Sequence, residues 1–199
     1  MRVGVLASGS GTNLQVLLDA PDIDVAAVAS DKPESHALAR AREAGVETAT
    51  FPRADFADRA ARDAAIADWL ESRGVELVVL AGFMQLVSGA FLARFPQRVI
   101  NVHPALLPAF PGLNAIEQAI EYGAKVTGVT VFFVDEGVDS GAVILQRALE
   151  VGDTTDPEEL HDRLRPLEHE LLPEAVRLIA AGRVSLDPAN PRRVIVAYD

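Results

Sequence analysis

A doubly wound α/β sheet, mostly parallel, is the fold class that three observations predict. Short continuous apolar runs, as for strands buried on both faces, alternate with amphipathic helical stretches through the first half of the chain. Polar, glycine-bearing segments follow several of those runs, as at Ser8-Gly9-Ser10-Gly11 and Gly82-Phe83-Met84. Beyond Pro108 two strand-like runs flank a loop too short for a parallel crossover, so the C-terminal part carries an antiparallel strand pair.

The elements follow in order. Residues 3–7 form a buried strand that ends in Ser8-Gly9-Ser10-Gly11-Thr12-Asn13, and Leu14, Val16, Leu17 and Leu18 begin a helix over 13–20. A second strand spans 23–29 and closes at Ser30-Asp31-Lys32-Pro33. A helix over 35–44 sets Ala37, Leu38 and Ala41 on one face, with Gly45 as its terminator. A weaker strand covers 46–51. A long helix over 56–73 is read with Ala60, Ala64, Ala67 and Leu70 inward, stopped by Gly74. Residues 77–81 make the next buried strand, and Arg98-Val99-Ile100 ends another. After it come a short helix over 115–122, strands over 126–134 and 142–149, and a helical region from Pro157 to residue 181. Leu160, Leu164, Leu167, Leu171 and Ala175 stripe that region, and Pro166 predicts a kink or break. Short strands over 183–186 and 194–197 close the chain. No internal repeat, linker or low-complexity stretch interrupts this order.

Composition narrows the function classes. The chain has 199 residues, 49% hydrophobic and 24% charged, which suits one folded domain with a large core. A net charge of −11 disfavours nucleic-acid binding, which needs a basic face. The absence of cysteine removes disulfides, thiolate chemistry and cysteine-bound metals. No His-Glu-x-x-His grouping suggests another metal site. Met1 leads straight into a strand-like run, and no apolar run reaches membrane-spanning length, so a cytoplasmic location without membrane association is expected.

The chemistry centres on Asn101-Val102-His103-Pro104. Residues two apart in an extended chain project to one side, so an amide and an imidazole face one pocket. Pro104 holds His103 extended, and Pro108 does the same for Leu107. His36, His161 and His169 lack such a setting, and the last two read as lying on a solvated helix face. Asp139, in a glycine-rich loop, is the candidate carboxylate partner, although an acid there also suits a plain turn. Beside His103 it would favour the protonated imidazole, a general acid. The 8–13 loop joins strand to helix and offers backbone N–H groups to an anion. It is not a Walker A loop. It fits a dinucleotide fingerprint only in part, because Leu14 replaces the third glycine, while Asp31 stands about 20 residues on, where a ribose-binding acid would be.

Together these segments resemble the phosphoribosylglycinamide formyltransferases, folate-dependent enzymes of purine synthesis. The resemblance runs through Ser8-Gly-Ser-Gly-Thr-Asn13, Leu80-Ala-Gly-Phe-Met84, Asn101-Val-His-Pro-Ala-Leu-Leu-Pro108, Val134-Asp-Glu-Gly-Val-Asp-Ser-Gly141 and Glu168-His169. It implies a Rossmann-like formyltransferase fold over 1–199 as a single domain, with about 1–95 binding phosphate and about 96–199 catalytic and folate-binding. Asn101, His103 and Asp139 would be catalytic. Gly11, Thr12, Asn13, Leu14 and Gln15, with Arg165, Pro166, Leu167 and Glu168, would hold the phosphoribosylglycinamide. Met84, Gln85, Leu86 and Val87, with Asn101 and the loop of Asp135, Glu136, Gly137, Val138 and Asp139, would line the folate pocket, and Arg59 would meet the glutamyl end. The resemblance also implies a cis Leu107–Pro108 bond, 10-formyltetrahydrofolate as co-substrate without metal, small-molecule partners only, and a monomer or homodimer.

Three positions depart from the family pattern. Phe132 and Ile116 stand where many members have histidine, and Gln85 where many have arginine, which leaves the folate tail more dependent on Arg59. Two other readings also fit the sequence. One is a formyltetrahydrofolate hydrolase, a deformylase that gives the formyl group to water. The other is a non-catalytic nucleotide-binding module resting on Gly9, Gly11 and Asp31.

Overall fold

The computed structural model describes residues 1–198. The chain divides between Asn101 and Val102 into two compact units. The first holds Arg2–Leu6 (β1), Asp24–Ser30 (β2), Glu47–Thr50 (β3), Leu77–Leu80 (β4) and the start of Val99–His103 (β5). Their order is β3-β2-β1-β4-β5, and every pairing is parallel. Val3, Val5, Leu6 and all four residues of β4 are buried, which is why these stretches read as continuous apolar runs. The chain winds outward from β1 to β3 and then in the other direction to β5. The carboxyl ends of β1 and β4 therefore flank a topological switch point, where open α/β sheets bind ligands.

Helices Thr12–Leu18 (α1), His36–Glu43 (α2), Arg59–Glu71 (α3) and Gly89–Arg94 (α4) connect these strands. The helix expected from residue 56 begins only at Arg59; a 3-10 turn, Arg53–Asp55, lies ahead of it, and the Asp58 carboxylate caps Ala61 N–H at 2.8 Å. The inward face of α3 also differs from the alanine stripe. Ala60 and Ala64 are exposed, while Arg62, Asp63, Ile66, Ala67 and Leu70 are buried. Alanine marks phase weakly, and a buried ion pair occupies positions that hydropathy assigns to solvent. Helix α4 escaped the sequence reading because its six residues bury only Phe91.

In the second unit, after Ala115–Tyr122 (α5), Val126–Phe133 (β6) and Val143–Glu150 (β7) pair antiparallel, as their short connection requires. Pro157–Ala180 (α6) follows, and Val184–Asp187 (β8) and Asn190–Val196 (β9) form an antiparallel hairpin joined to β7 through β9. Helix α6 runs unbroken through Pro166 and Pro173, so of the kink or break expected at Pro166 the break does not occur. An internal proline costs about 3 kcal/mol. Burial of Leu160 and Leu164 before Pro166, and of Leu171, Leu172, Ala175 and Val176 after it, offsets that, since each large apolar side chain contributes about 1.5–3 kcal/mol.

Candidate active site

The site is built first from the ends of β1, β2 and β4. Ser8 N–H donates to Gly82 O at 3.1 Å. The Ser8 hydroxyl donates to Asp31 Oδ1 at 2.6 Å and accepts from Met84 N–H at 3.0 Å. One buried serine thus ties three strand ends together, and Asp31, the acid of the dinucleotide reading, gives an oxygen to that tie.

Gly11 precedes α1 with φ 74°, and a Cβ there would sit 2.7 Å from Ala37 Cα. Only glycine suits both the backbone angle and the approach of α2. Helix α2 holds the loop from behind. Ala37 N–H donates to Gly9 O at 3.2 Å, and Arg40 donates from Nε to Ser10 O at 2.9 Å and from Nη1 to Gln15 Oε1 at 3.0 Å. Gln15 in turn donates to Asp19 Oδ1 at 2.8 Å. Those contacts fix the backbone that leads into the first turn of α1, where a helix leaves N–H groups without intrahelical acceptors. Leu14 is fully buried, so only its backbone is available, and the Gln15 amide is engaged within the protein. Arg40 was not singled out from sequence; its place in an ordinary Arg-rich helix gave no signal.

The segment after Met84 is held by α3. Arg62 and Asp63 are 2% and 1% exposed, the most deeply buried charges of the first unit. Arg62 borders a cleft of about 550 Å³ whose lining also includes Arg53, Arg59, Met84, Gln85 and Leu86. Met84 and Leu86 expose more than half of their surface there, as an apolar ligand wall would, whereas Val87 turns into the core.

In the second unit the structure brings His103 and Asp139 together. His103 is 5% exposed, with Nδ1 3.4 Å from Asp139 Oδ2 and Nε2 2.8 Å from Phe110 O. A carbonyl only accepts, so Nε2 carries a proton and donates to Phe110. Nδ1 is then the working nitrogen. Asp139 Oδ2 also accepts Gly112 N–H at 2.7 Å. Both partners of the imidazole hold left-handed backbone, with φ 52° at Phe110 and 48° at Asp139. Non-glycine residues occupy that region at a cost of about 1–2 kcal/mol, and such residues cluster at functional sites.

The Asp139 loop braces itself. Asp135 Oδ1 accepts Gly137 N–H at 3.0 Å and Ser140 Oγ at 2.6 Å, and Phe133 N–H donates to Ala142 O at 2.9 Å. The segment after His103 is pinned by the two long strands of the unit. The Thr130 hydroxyl donates to Ala105 O at 2.6 Å and accepts Leu107 N–H at 3.1 Å. Gln146 Nε2 donates to Leu107 O and to Thr130 Oγ1, both at 2.9 Å. The Leu107–Pro108 bond is cis, as the resemblance implied. Asn101 stands two residues before His103 on β5, half-buried, on the same side of the strand.

On α6, Glu168 is buried, Arg165 pairs with Asp162 at 2.9 Å, Leu167 is half-buried and Pro166 is exposed. His169 departs from the solvated reading. Its Nε2 is buried without a hydrogen-bond partner, and burial pushes its pKa below the usual histidine range. Among the described residues, no group of three or more His, Asp or Glu could hold a metal ion, and no helix is long and apolar enough to cross a membrane.

Comparison with known proteins identifies the class to which this switch-point sheet and its imidazole–carboxylate pair belong. Residues 1–176 match the formyl transferase family model, and the chain belongs to that family. It is 40% identical over 190 residues to the phosphoribosylglycinamide formyltransferase of Haemophilus influenzae, covering 93% of this chain and 90% of that one. It is 41% identical over 194 residues to the trifunctional purine biosynthetic protein adenosine-3 of Drosophila melanogaster, covering 94% of this chain but 14% of that much longer protein. The crystal structure of glycinamide ribonucleotide transformylase 1 from Symbiobacterium toebii superimposes with a TM-score of 0.96 at 48% identity, over 100% of this chain and 94% of that one.

Proposed function

We propose that the protein transfers the formyl group of 10-formyltetrahydrofolate to the amine of N1-(5-phospho-D-ribosyl)glycinamide, a step of purine synthesis. The observation that carries this reading is His103, anchored through Nε2 on Phe110 O and turned through Nδ1 toward Asp139. The first part of the chain would take the ribotide phosphate on the backbone of residues 11–15, and Glu168, with 165–167 leading to it, would meet the rest of that substrate. Met84, Gln85 and Leu86, beside Arg59, would take the folate, together with the 135–139 loop.

The chemistry follows from those assignments. As the glycinamide nitrogen bonds to the formyl carbon, negative charge grows on the formyl oxygen. The Asn101 amide N–H and His103 donate to that oxygen, as an oxyanion hole does. With Nε2 committed to Phe110, Nδ1 donates only when the ring carries both protons. His103 gives its Nδ1 proton to the departing folate nitrogen as that nitrogen's bond to carbon breaks, and the ring then takes up the proton lost by the incoming amine; a water held by Asp139 is the alternative carrier. No covalent enzyme adduct is required. Holding amine and carbonyl together lowers the entropic part of the barrier.

Turnover with both substrates tests the reading. The expected result is release of tetrahydrofolate that depends on the glycinamide ribotide. Release that ignores the ribotide would make the protein a deformylase. Dinucleotide binding without turnover, unaffected by His103→Ala, would make it a binding module.

A further inference from the structure

Helix α3 carries a device that none of the roles above uses. Neighbouring residues on a helix diverge by about 100°, yet Arg62 folds back on Asp63. Its Nε and Nη2 both donate to Asp63 Oδ1, at 3.2 and 2.8 Å. That contact leaves Asp63 Oδ2 for Ser88 N–H at 2.6 Å. It also leaves guanidinium N–H groups for the segment across the cleft. Nη1 donates to Gln85 Oε1 and Nη2 to Leu86 O, both at 3.2 Å, and the guanidinium carbon lies 5.9 Å from the centre of the Phe83 ring. Ser88 then caps α4 through Phe91 N–H at 3.3 Å. Four consecutive positions from 85 to 88 therefore include three whose polar groups are fixed by one buried ion pair.

We infer that Arg62 is a positioning residue for the formyl donor, setting the backbone and side-chain geometry of Gln85–Ser88 so that the donor finds a preformed wall. Its charge is cancelled by Asp63, so it does not compete with Arg53 and Arg59 for an anion on the same cleft. What it supplies is shape. The planar fork reaches Asp63 and the opposite segment at once, which an ammonium cannot do. Gln85 meets Arg62 end to end, so exchanging the two side chains keeps both partners of that contact.

This inference rests on the folate assignment of residues 84–87, and steady-state kinetics with both substrates tests it. In Arg62→Gln, the KM for 10-formyltetrahydrofolate should rise about tenfold or more, because a displaced wall loses binding contacts, while the KM for the ribotide stays within about twofold. Arg62→Lys should not recover the donor KM. The exchanged double variant, R62Q with Q85R, should bring it back to within about threefold of the original. Equal increases in both KM values, no increase, or full recovery by lysine would each overturn the inference. Should Arg62→Gln fail to fold, the exchanged variant decides alone. Folded protein with a near-original donor KM supports the assignment, and an unfolded or donor-impaired one refutes it. Absence of turnover by the unaltered protein would instead refute the proposed function, so the two failures are distinguishable.

Discussion

Two buried acid–base pairs among the described residues, Arg62–Asp63 and His103–Asp139, are built in opposite ways. Arg62–Asp63 closes at 2.8 Å, with both carboxylate oxygens and the guanidinium fork engaged by protein groups. His103–Asp139 stays open at 3.4 Å, and both residues that touch the imidazole hold strained backbone. A closed pair has nothing left to give a substrate and acts as scaffold. An open pair keeps a nitrogen and a carboxylate oxygen in reserve, and the surrounding loops bear the conformational cost of aiming them.

The contrast predicts different failures. Removing the imidazole with His103→Ala should lower kcat roughly 10³-fold, in the range for losing a general acid or an oxyanion donor, with little change in melting temperature. Asp139→Asn should cost less, and the double variant should be no worse than His103→Ala, because the two act as one unit. Strict additivity in stopped-assay rates would dissolve the pair. Asp63→Ala should do the reverse. It strands a buried guanidinium and should cost about 3–5 kcal/mol of stability by urea unfolding, with a much smaller effect on kcat. A stable Asp63→Ala protein with crippled turnover would show that the closed pair is chemical after all.

Gly11→Ala offers an intermediate case. The added methyl meets the α2 backbone at 2.7 Å, so a loss of about 1–3 kcal/mol is expected, with a raised KM for the ribotide alone. The smallest effect concerns His169. Its folded pKa lies below the unfolded value, so the unfolded chain binds more protons over that window and stability falls as pH drops below about 6.5. His169→Gln should flatten that slope in melting curves between pH 7.5 and about pH 5.5, and an unchanged slope would assign it to other groups.

The parallel sheet was legible because β1 and β4 are buried on both faces and carry hardly a polar residue. The Asn101–His103 pair was legible because prolines announce fixed geometry. The role of Phe110 was not. A main-chain carbonyl has no sequence signature, and a left-handed phenylalanine is an exception to the rules by which turns are read. Arg62 and Asp63 stayed hidden for a related reason. Charges at consecutive helix positions predict a solvated face, and only the folded contact with residues 85–88 turns that face inward. At Pro166 in α6 a kink and a break were both open from sequence, and tertiary burial on both sides keeps the helix unbroken.

Thr130 carries a lesson for anyone redesigning this scaffold. Its hydroxyl fills all three of its hydrogen-bonding positions, one given and two received, between β6, β7 and the segment that leaves His103. Valine has nearly the same size and shape and prefers strands at least as strongly. A substitution table would rate Thr130→Val harmless, and a packing score would agree. The exchange would nonetheless leave the Ala105 carbonyl and the Leu107 N–H without their partner, in the stretch of chain immediately after the imidazole. Tolerance at this position is measured in lone pairs and protons, not in cubic ångströms.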